Sequence, residues 1–462
     1  MVESDLIMPV DSEHRAMDLR PLSIASPHMR AFHLSWLSLF SCFFSVFSVP
    51  PLLPVLGATT STGVISGVVS LSATFISRLT MGPICDLLGP RLASTVLSIV
   101  TAVLSIMLAL LGASTSHEGL IVLRFISGLS LGNFVANQYW MSSMFSPSIV
   151  GVASAVSAGW ANTGCGVAQV AMPLAYSFLL HVGVLDSMAC RVVFLLPAGL
   201  QIATALATLY FGQDLPQGNF SVVKKKSKHT SKRGIVDFWE IIKEGAGNYR
   251  GWILALTYGY CYGVELTTEA IVATFFRERY NLGIEAAGAA AACFGVMNVI
   301  SRPVGGMAAD VLGESFGMRG RLWGLWLVQT VGGVTCLMLG RMSDSGAPPG
   351  LTLAVLVVFA FFIQAASGLT FGIVPFISKR ALGVISGMTA SGGVMGGIVT
   401  QLLFFSGSFG FSRETGISLM GLMILICTLP LMLIYSPQFG GMFCAPLKDY
   451  DDLEADYYEF VK

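Results

Sequence analysis

Apolar runs of about 20 residues, long enough to cross a bilayer as a helix, recur twelve times along the chain. They cover 32–56, 63–85, 92–112, 119–144, 149–175 and 192–212, then 251–274, 286–309, 322–340, 350–376, 383–407 and 416–436. A single long hydrophilic interval, 213–250, separates the first six from the last six. The pattern predicts an all-α integral membrane protein. Its parts are a polar N-terminal tail (1–29), a six-helix bundle (30–212), a basic linker (213–250), a second six-helix bundle (251–436) and a C-terminal tail (437–462).

Composition agrees with that reading and narrows it. The 462 residues are 54% hydrophobic and only 11% charged, with mean hydropathy +0.73. Soluble domains carry about 25% charged residues. A net charge of zero argues against nucleic acid or any other polyanion as partner. The nine cysteines form no CxxC or zinc spacing and read as small core residues, with no metal and no cofactor implied. Span-free segments reach about 40 residues, too short for an ordinary catalytic domain, so no enzyme is expected. The seven charges within 1–29 make that segment a polar tail and not a cleavable signal.

Lys and Arg are distributed unequally between the two ends of the spans. Eighteen lie on the end bearing both termini and the linker, five on the opposite end, and three inside spans. Positive charge collects on the cytoplasmic side, so both termini and the linker are expected there. Within the linker, Ser227, Thr230 and Ser231 stand among Lys224, Lys225, Lys226, Lys228, Lys232 and Arg233. Phosphorylation there would add about −2 charge per site; a solvated positive anchor is the plainer reading.

The two halves repeat. Arg78, Gly82, Asp86 and Gly89 recur at identical spacing as Arg302, Gly306, Asp310 and Gly313. Ser127–Gly132 matches Ser367–Gly372, and Gly151 through Gln169 matches Gly383 through Gln401. Repeats at this scale are typical of secondary transporters, whose site lies near the midplane where repeats meet.

An ionised arginine at membrane depth is costly and functional by default. Arg78 and Arg302 at equal depth repel unless an anion lies between them. Arginine is planar, rich in donors and permanently charged, which suits a small planar oxyanion. The alternative is that each is neutralised by a nearby carboxylate. Glu265 and Glu269, on the seventh span, are the carboxylates well inside a span. They are candidates for proton coupling or for pairing with an arginine. Tyr258, Tyr260 and Tyr262 on that span could sandwich a planar anion or form an interfacial belt. Asn162 and Gln169, seven apart, share a helix face and can donate to an anion. Gly159, Gly164, Gly166, Gly392, Gly393 and Gly396 allow close helix approach, for packing or for access to the site. The Gly82, Asp86, Gly89, Arg91 and Gly306, Asp310, Gly313 ends read as turns and charge locks at the cytoplasmic tips. Arg124 reads as a packing or hydrogen-bonding residue.

The Arg-x3-Gly-x3-Asp-x2-Gly repeat resembles the loop motif of the major facilitator superfamily. Gln138–Ser142, Ala158–Asn162, Phe211–Pro216, Gly263–Thr268, Arg321–Trp326 and Gly368–Phe376 are similar to segments of the plant and algal high-affinity nitrate transporters, within the nitrate/nitrite porter family. The resemblance covers about 30–446. It implies the major facilitator fold, twelve transmembrane helices in two pseudo-symmetric six-helix bundles around a central site. It also implies that Arg78 and Arg302 bind nitrate, that Phe134, Asn162, Gln169 and Tyr258 line the site, and that the glycine stretches are the signature helices. Span 5 departs from the usual fuller glycine pattern, reading Trp160-Ala-Asn-Thr-Gly-Cys-Gly166. The function expected is high-affinity nitrate or nitrite import across the plasma membrane by proton-coupled symport. A single-span accessory membrane protein is a further implied partner. Alternatives are nitrate/nitrite exchange, or a nitrate-binding sensor with little flux.

Overall fold

The computed structural model describes residues 8–52, 56, 60–111, 116–220, 234–282, 284–342, 346–405 and 409–446. The linker cations and hydroxyls between 221 and 233, with the last sixteen residues, lie outside the described residues.

The first half runs through α1 (His28–Phe47), α2 (Thr60–Leu88), α3 (Pro90–Leu111), α4 (His117–Leu129), α5 (Asn133–Met144), α6 (Val150–His181), α7 (Asp186–Val192) and α8 (Leu195–Phe211). A linker helix α9 (Gly234–Gly247) follows. The second half holds α10 (Tyr249–Gly259), α11 (Tyr262–Tyr280), α12 (Ile284–Val296), α13 (Asn298–Met342), α14 (Pro349–Ile373), α15 (Leu382–Thr400) and α16 (Arg413–Thr428). A two-residue antiparallel pairing, Tyr435–Ser436 with Gly440–Gly441, closes the described chain. Helix starts carry their own caps: Ser116 accepts from the Gly119 amide and Ser412 from the Thr415 amide.

Among the described residues, ten stretches are long and apolar enough to cross a membrane. One is the 54-residue run Ala289–Met342, more than twice what a bilayer needs. It contains Gly317 at φ +62°, a conformation open to glycine. Twelve residues of straight helix would hold Leu312 and Gly324 about 18 Å apart. Instead, a Cβ on Gly324 would meet the Leu312 side chain, and one on Gly313 would meet the Arg321 guanidinium. The run is therefore a helical hairpin and accounts for two crossings.

The seventh span departs from the sequence expectation. In place of one helix over 251–274, α10 stops at Gly259 and α11 restarts at Tyr262. A break leaves backbone carbonyls without helical partners, and these must be satisfied inside the protein. The buried Gln329 amide does so, donating to the carbonyls of Thr257 and Tyr260 at 3.2 and 3.4 Å. The fourth span loosens too: Ser130–Gly132 forms a 3-10 turn between α4 and α5.

Several polar residues inside the first half bond one another. Ser38 bonds Ser94 and Ser98, Asn133 donates to Ser38, and Asn137 donates to Ser35 and Ser157. In the second half Gly392 and Gly396 press on the backbone of Ala255 and Gly259. Small residues there permit backbone contact between α15 and α10. The cysteines are mostly buried as expected, but Cys293 and Cys444 are exposed.

Candidate functional site

Arg78 is wholly buried, and its acceptors are all neutral. Its Nε donates to the Leu131 carbonyl at 3.3 Å, Nη1 to the Ala390 carbonyl at 3.2 Å and Nη2 to the Tyr262 hydroxyl at 3.0 Å. The 3-10 turn supplies the first: it turns carbonyls toward α2, where Ser77 and Thr74 also bond Leu129 and Gly128. The Phe134 and Tyr262 rings flank the guanidinium, each 4.7 Å from Cζ. Among the described residues no carboxylate lies within ion-pair distance of Arg78.

Arg302 is 1% exposed and is paired. Its Nη2 bonds Glu265 Oε2 at 2.7 Å, and its Nε donates to Asn298 Oδ1 at 2.6 Å. Ser367 donates to the other Glu265 oxygen at 2.5 Å. The same Tyr262 ring lies 5.3 Å from the Arg302 Cζ, so one aromatic face-pair touches both arginines. Tyr258 stacks on Tyr262 at 5.3 Å, and Phe371 sets its edge against Phe134 and Tyr258. The Tyr258 hydroxyl is buried and has no hydrogen-bond partner among the described residues. Glu269, one turn beyond Glu265 and half-buried, makes neither ion pair nor hydrogen bond among them.

The arginine pair, Phe134, Tyr258 and Glu265 thus come together, and the break before α11 aims Tyr262 and Glu265 at them. Asn162 is 9% exposed, one turn from Gly159, whose Cβ would meet the Asn298 carbonyl and Arg302. Gln169 lies further along and is exposed. The glycines divide. Gly159 faces the opposite half and Gly393 faces the Tyr258 and Tyr262 rings, as access to the site requires. Gly164 instead packs on Phe40 and Phe43 of α1, and Gly392 and Gly396 pack on α10. A Cβ on Gly166 would meet nothing.

Beyond the arginines, at the end carrying the repeated motif, the halves are joined. Asp310 accepts from the Gly151 and Val152 amides at 3.1 and 2.6 Å, capping α6 from the other half. Arg321 pairs with Asp310 at 3.1 Å and donates to the Gly372 and Pro147 carbonyls. Gly306 meets Gly151, and Gly82 meets Gly383, backbone to backbone. Asp86 approaches Gly383 at the start of α15. The repeat is not symmetric here. Gly89 turns the chain at φ +84°, and Arg91 goes to Asp214 and the Leu209 carbonyl of its own half, whereas Gly313 faces Arg321.

Toward the other end, the α6 face that joins the halves becomes exposed. Gly151, Ala155, Gly159, Asn162, Gly166 and Gln169 fall on one stripe of α6, within about 80° by helix geometry. The first three pack on α13, while Gly166 and Gln169 are exposed.

Sequence reasoning did not single out Tyr262 as the shared ring, nor Asn298, Ser367 or Arg321. Ser367 was visible as the repeat partner of Ser127; the rest depend on the helix break and the hairpin.

The Major Facilitator Superfamily model matches residues 35–397. The chain is 53% identical to "Probable high-affinity nitrate transporter 2.4" of Oryza sativa subsp. japonica, over 96% of this chain and 91% of that one. It is 50% identical to "High affinity nitrate transporter 2.7" of Arabidopsis thaliana, with the same coverages. Its fold is similar to that of the human organic anion transporter MFSD10, with TM-score 0.62 at 14% identity, over 88% of this chain and 99% of that one.

Proposed function

The chain belongs to the major facilitator superfamily and, within it, to the high-affinity nitrate transporters, and on that premise we propose that it imports nitrate by proton-coupled symport. Alternating access carries the anion between Arg78 and Arg302, across a plasma membrane with both termini cytoplasmic. The single observation that carries the reading is the buried Arg78 without a carboxylate.

Two cation–π contacts contribute about 0.5–2 kcal/mol each, whereas desolvating a charge costs several kcal/mol. The three hydrogen bonds of Arg78 to neutral acceptors add to the rings' contribution, but none of these contacts brings a counter-charge, which a bound monovalent anion supplies. The orphan Tyr258 hydroxyl offers it one further donor. Arg302 is held by Glu265. A proton on Glu265 Oε2 removes the charge that holds Nη2, and the freed guanidinium turns to share the anion with Arg78 across the Tyr262 ring. Loss of that proton on the inner side re-forms the pair and releases the anion. Nitrate entry against an inside-negative potential costs about 2.3 kcal/mol per 100 mV; one proton per nitrate cancels that cost. The closed Asp310–Arg321 end and the parted α6 face support an outward-facing state, given cytoplasmic termini.

Labelled-nitrate uptake, with and without a pH gradient, tests the reading. Arg78→Gln is expected to lose uptake. Glu265→Gln is expected to keep nitrate exchange and lose pH-driven accumulation. Undiminished accumulation in Glu265→Gln removes the proton step, and normal uptake in Arg78→Gln removes the site.

A further inference from the structure

Among the described residues, the first half holds a second buried cation without a carboxylate within ion-pair distance. Arg124 is 7% exposed, and one of its five N–H donors is used among the described residues: Nη1 donates to the Val46 carbonyl at the end of α1, at 2.6 Å. The Ser127 hydroxyl bonds the Arg124 carbonyl and leaves the guanidinium untouched. The described acids of this end of the half, Glu118 and Asp186, are exposed, and Asp186 takes the Tyr176 hydroxyl. Neither lies within ion-pair distance of Arg124. A cation kept nine-tenths out of water with a single neutral acceptor calls for a counter-charge.

Its place on α4 supplies the second observation. Leu131, whose carbonyl takes the Arg78 Nε, is seven residues on. That is two turns, about 10 Å along the same side of the span. The turn between them, at Gly128, presses on Ser70 of α2, the helix that carries Arg78. Arg124 therefore stands one step outside the central pair, toward the end where Gly166 and Gln169 of α6 are exposed.

We propose that Arg124 forms a waiting site for a small monovalent inorganic anion on its way to Arg78. It rests on the nitrate reading for the identity of that anion. A fixed buried charge along the route raises the local anion concentration and the rate of arrival. It leaves the later steps of the cycle alone.

The test is labelled-nitrate uptake by the full chain in proteoliposomes, with variant levels normalised in the membrane. Arg124→Gln is expected to raise KM about tenfold, the low end of electrostatic focusing, with kcat within about twofold. Arg124→Lys keeps the charge without the fork and is expected to raise KM less. Unchanged KM in Arg124→Gln, or a fall in kcat at constant KM, identifies a packing cation and overturns the proposal. Should Arg124→Gln fail to reach the membrane, Arg124→Lys is read alone. A raised KM at native kcat then supports the site, and any other result overturns it. Arg78→Gln serves as the separate control. Normal uptake there sinks the central reading, whereas a dead Arg78→Gln beside a native Arg124→Gln sinks the waiting site alone.

Discussion

A guanidinium or carboxylate taken out of water gives up several kcal/mol of solvation, and a well-formed ion pair returns much of it. Arg302 and Glu265 are bound to each other in this way, so removing one strands the other. Arg302→Gln is expected to lower stability by about 3–5 kcal/mol, seen as a drop in thermal unfolding temperature of the purified protein. Arg302→Gln combined with Glu265→Gln is expected to recover most of that loss while accumulation stays abolished. If the double variant is no more stable than the single, the pair is not what holds this region. Both arginines were legible in the sequence as intramembrane charges, because the repeat sets them at identical spacing from Gly, Asp and Gly. Their unequal electrostatics was not. The repeat predicts symmetry, and the acid that breaks it stands on a span outside the repeated motifs.

The glycine-rich stretches were legible as elements, but their partners were not. Spacing shows that Gly164 and Gly166 can lie near a helix; it does not show which helix, nor that the second touches none. Substitution to alanine separates them. Gly392→Ala would drive a Cβ into the Ala255 carbonyl, and Gly393→Ala would bring one within 2.6 Å of the Tyr258 ring. Gly166→Ala meets open space. Gly392→Ala is expected to depress membrane yield and unfolding temperature, because backbone must move. Gly393→Ala is expected to keep the fold and weaken nitrate affinity by displacing the aromatic stack. Gly166→Ala is expected to leave both unaltered. Equal behaviour of the three would mean that packing at these positions does not decide function. The break before α11 was likewise hidden: Gly259 and Gly263 hint at weakness, yet the stabilising partner, Gln329, lies some seventy residues downstream.

A succession of membrane-length helices was legible because bilayer thickness fixes segment length. Which end is shut was not, since it depends on contacts between distant spans. Asp310 holds α6 by accepting two hydrogen bonds from backbone amides, and hydrogen bonds to a charged group contribute about 1.5–3 kcal/mol each. Asp310→Asn is expected to weaken that end and shift the population away from the state described here. With Gly166→Cys as reporter in a Cys293→Ala, Cys444→Ala background, labelling by a membrane-impermeant thiol reagent from outside should slow; unchanged labelling would show that the lock does not set the equilibrium. The unpaired Arg78 has an electrical consequence. Under the proposed cycle the central site of the empty carrier holds one surplus positive charge, from Arg78, Arg302 and Glu265. The carrier loaded with nitrate and a proton holds the same. Both halves of the cycle then move equal charge through the membrane field, and no steady current flows. A voltage step without nitrate should still evoke a transient capacitive displacement as empty carriers redistribute, and Arg78→Gln should erase it.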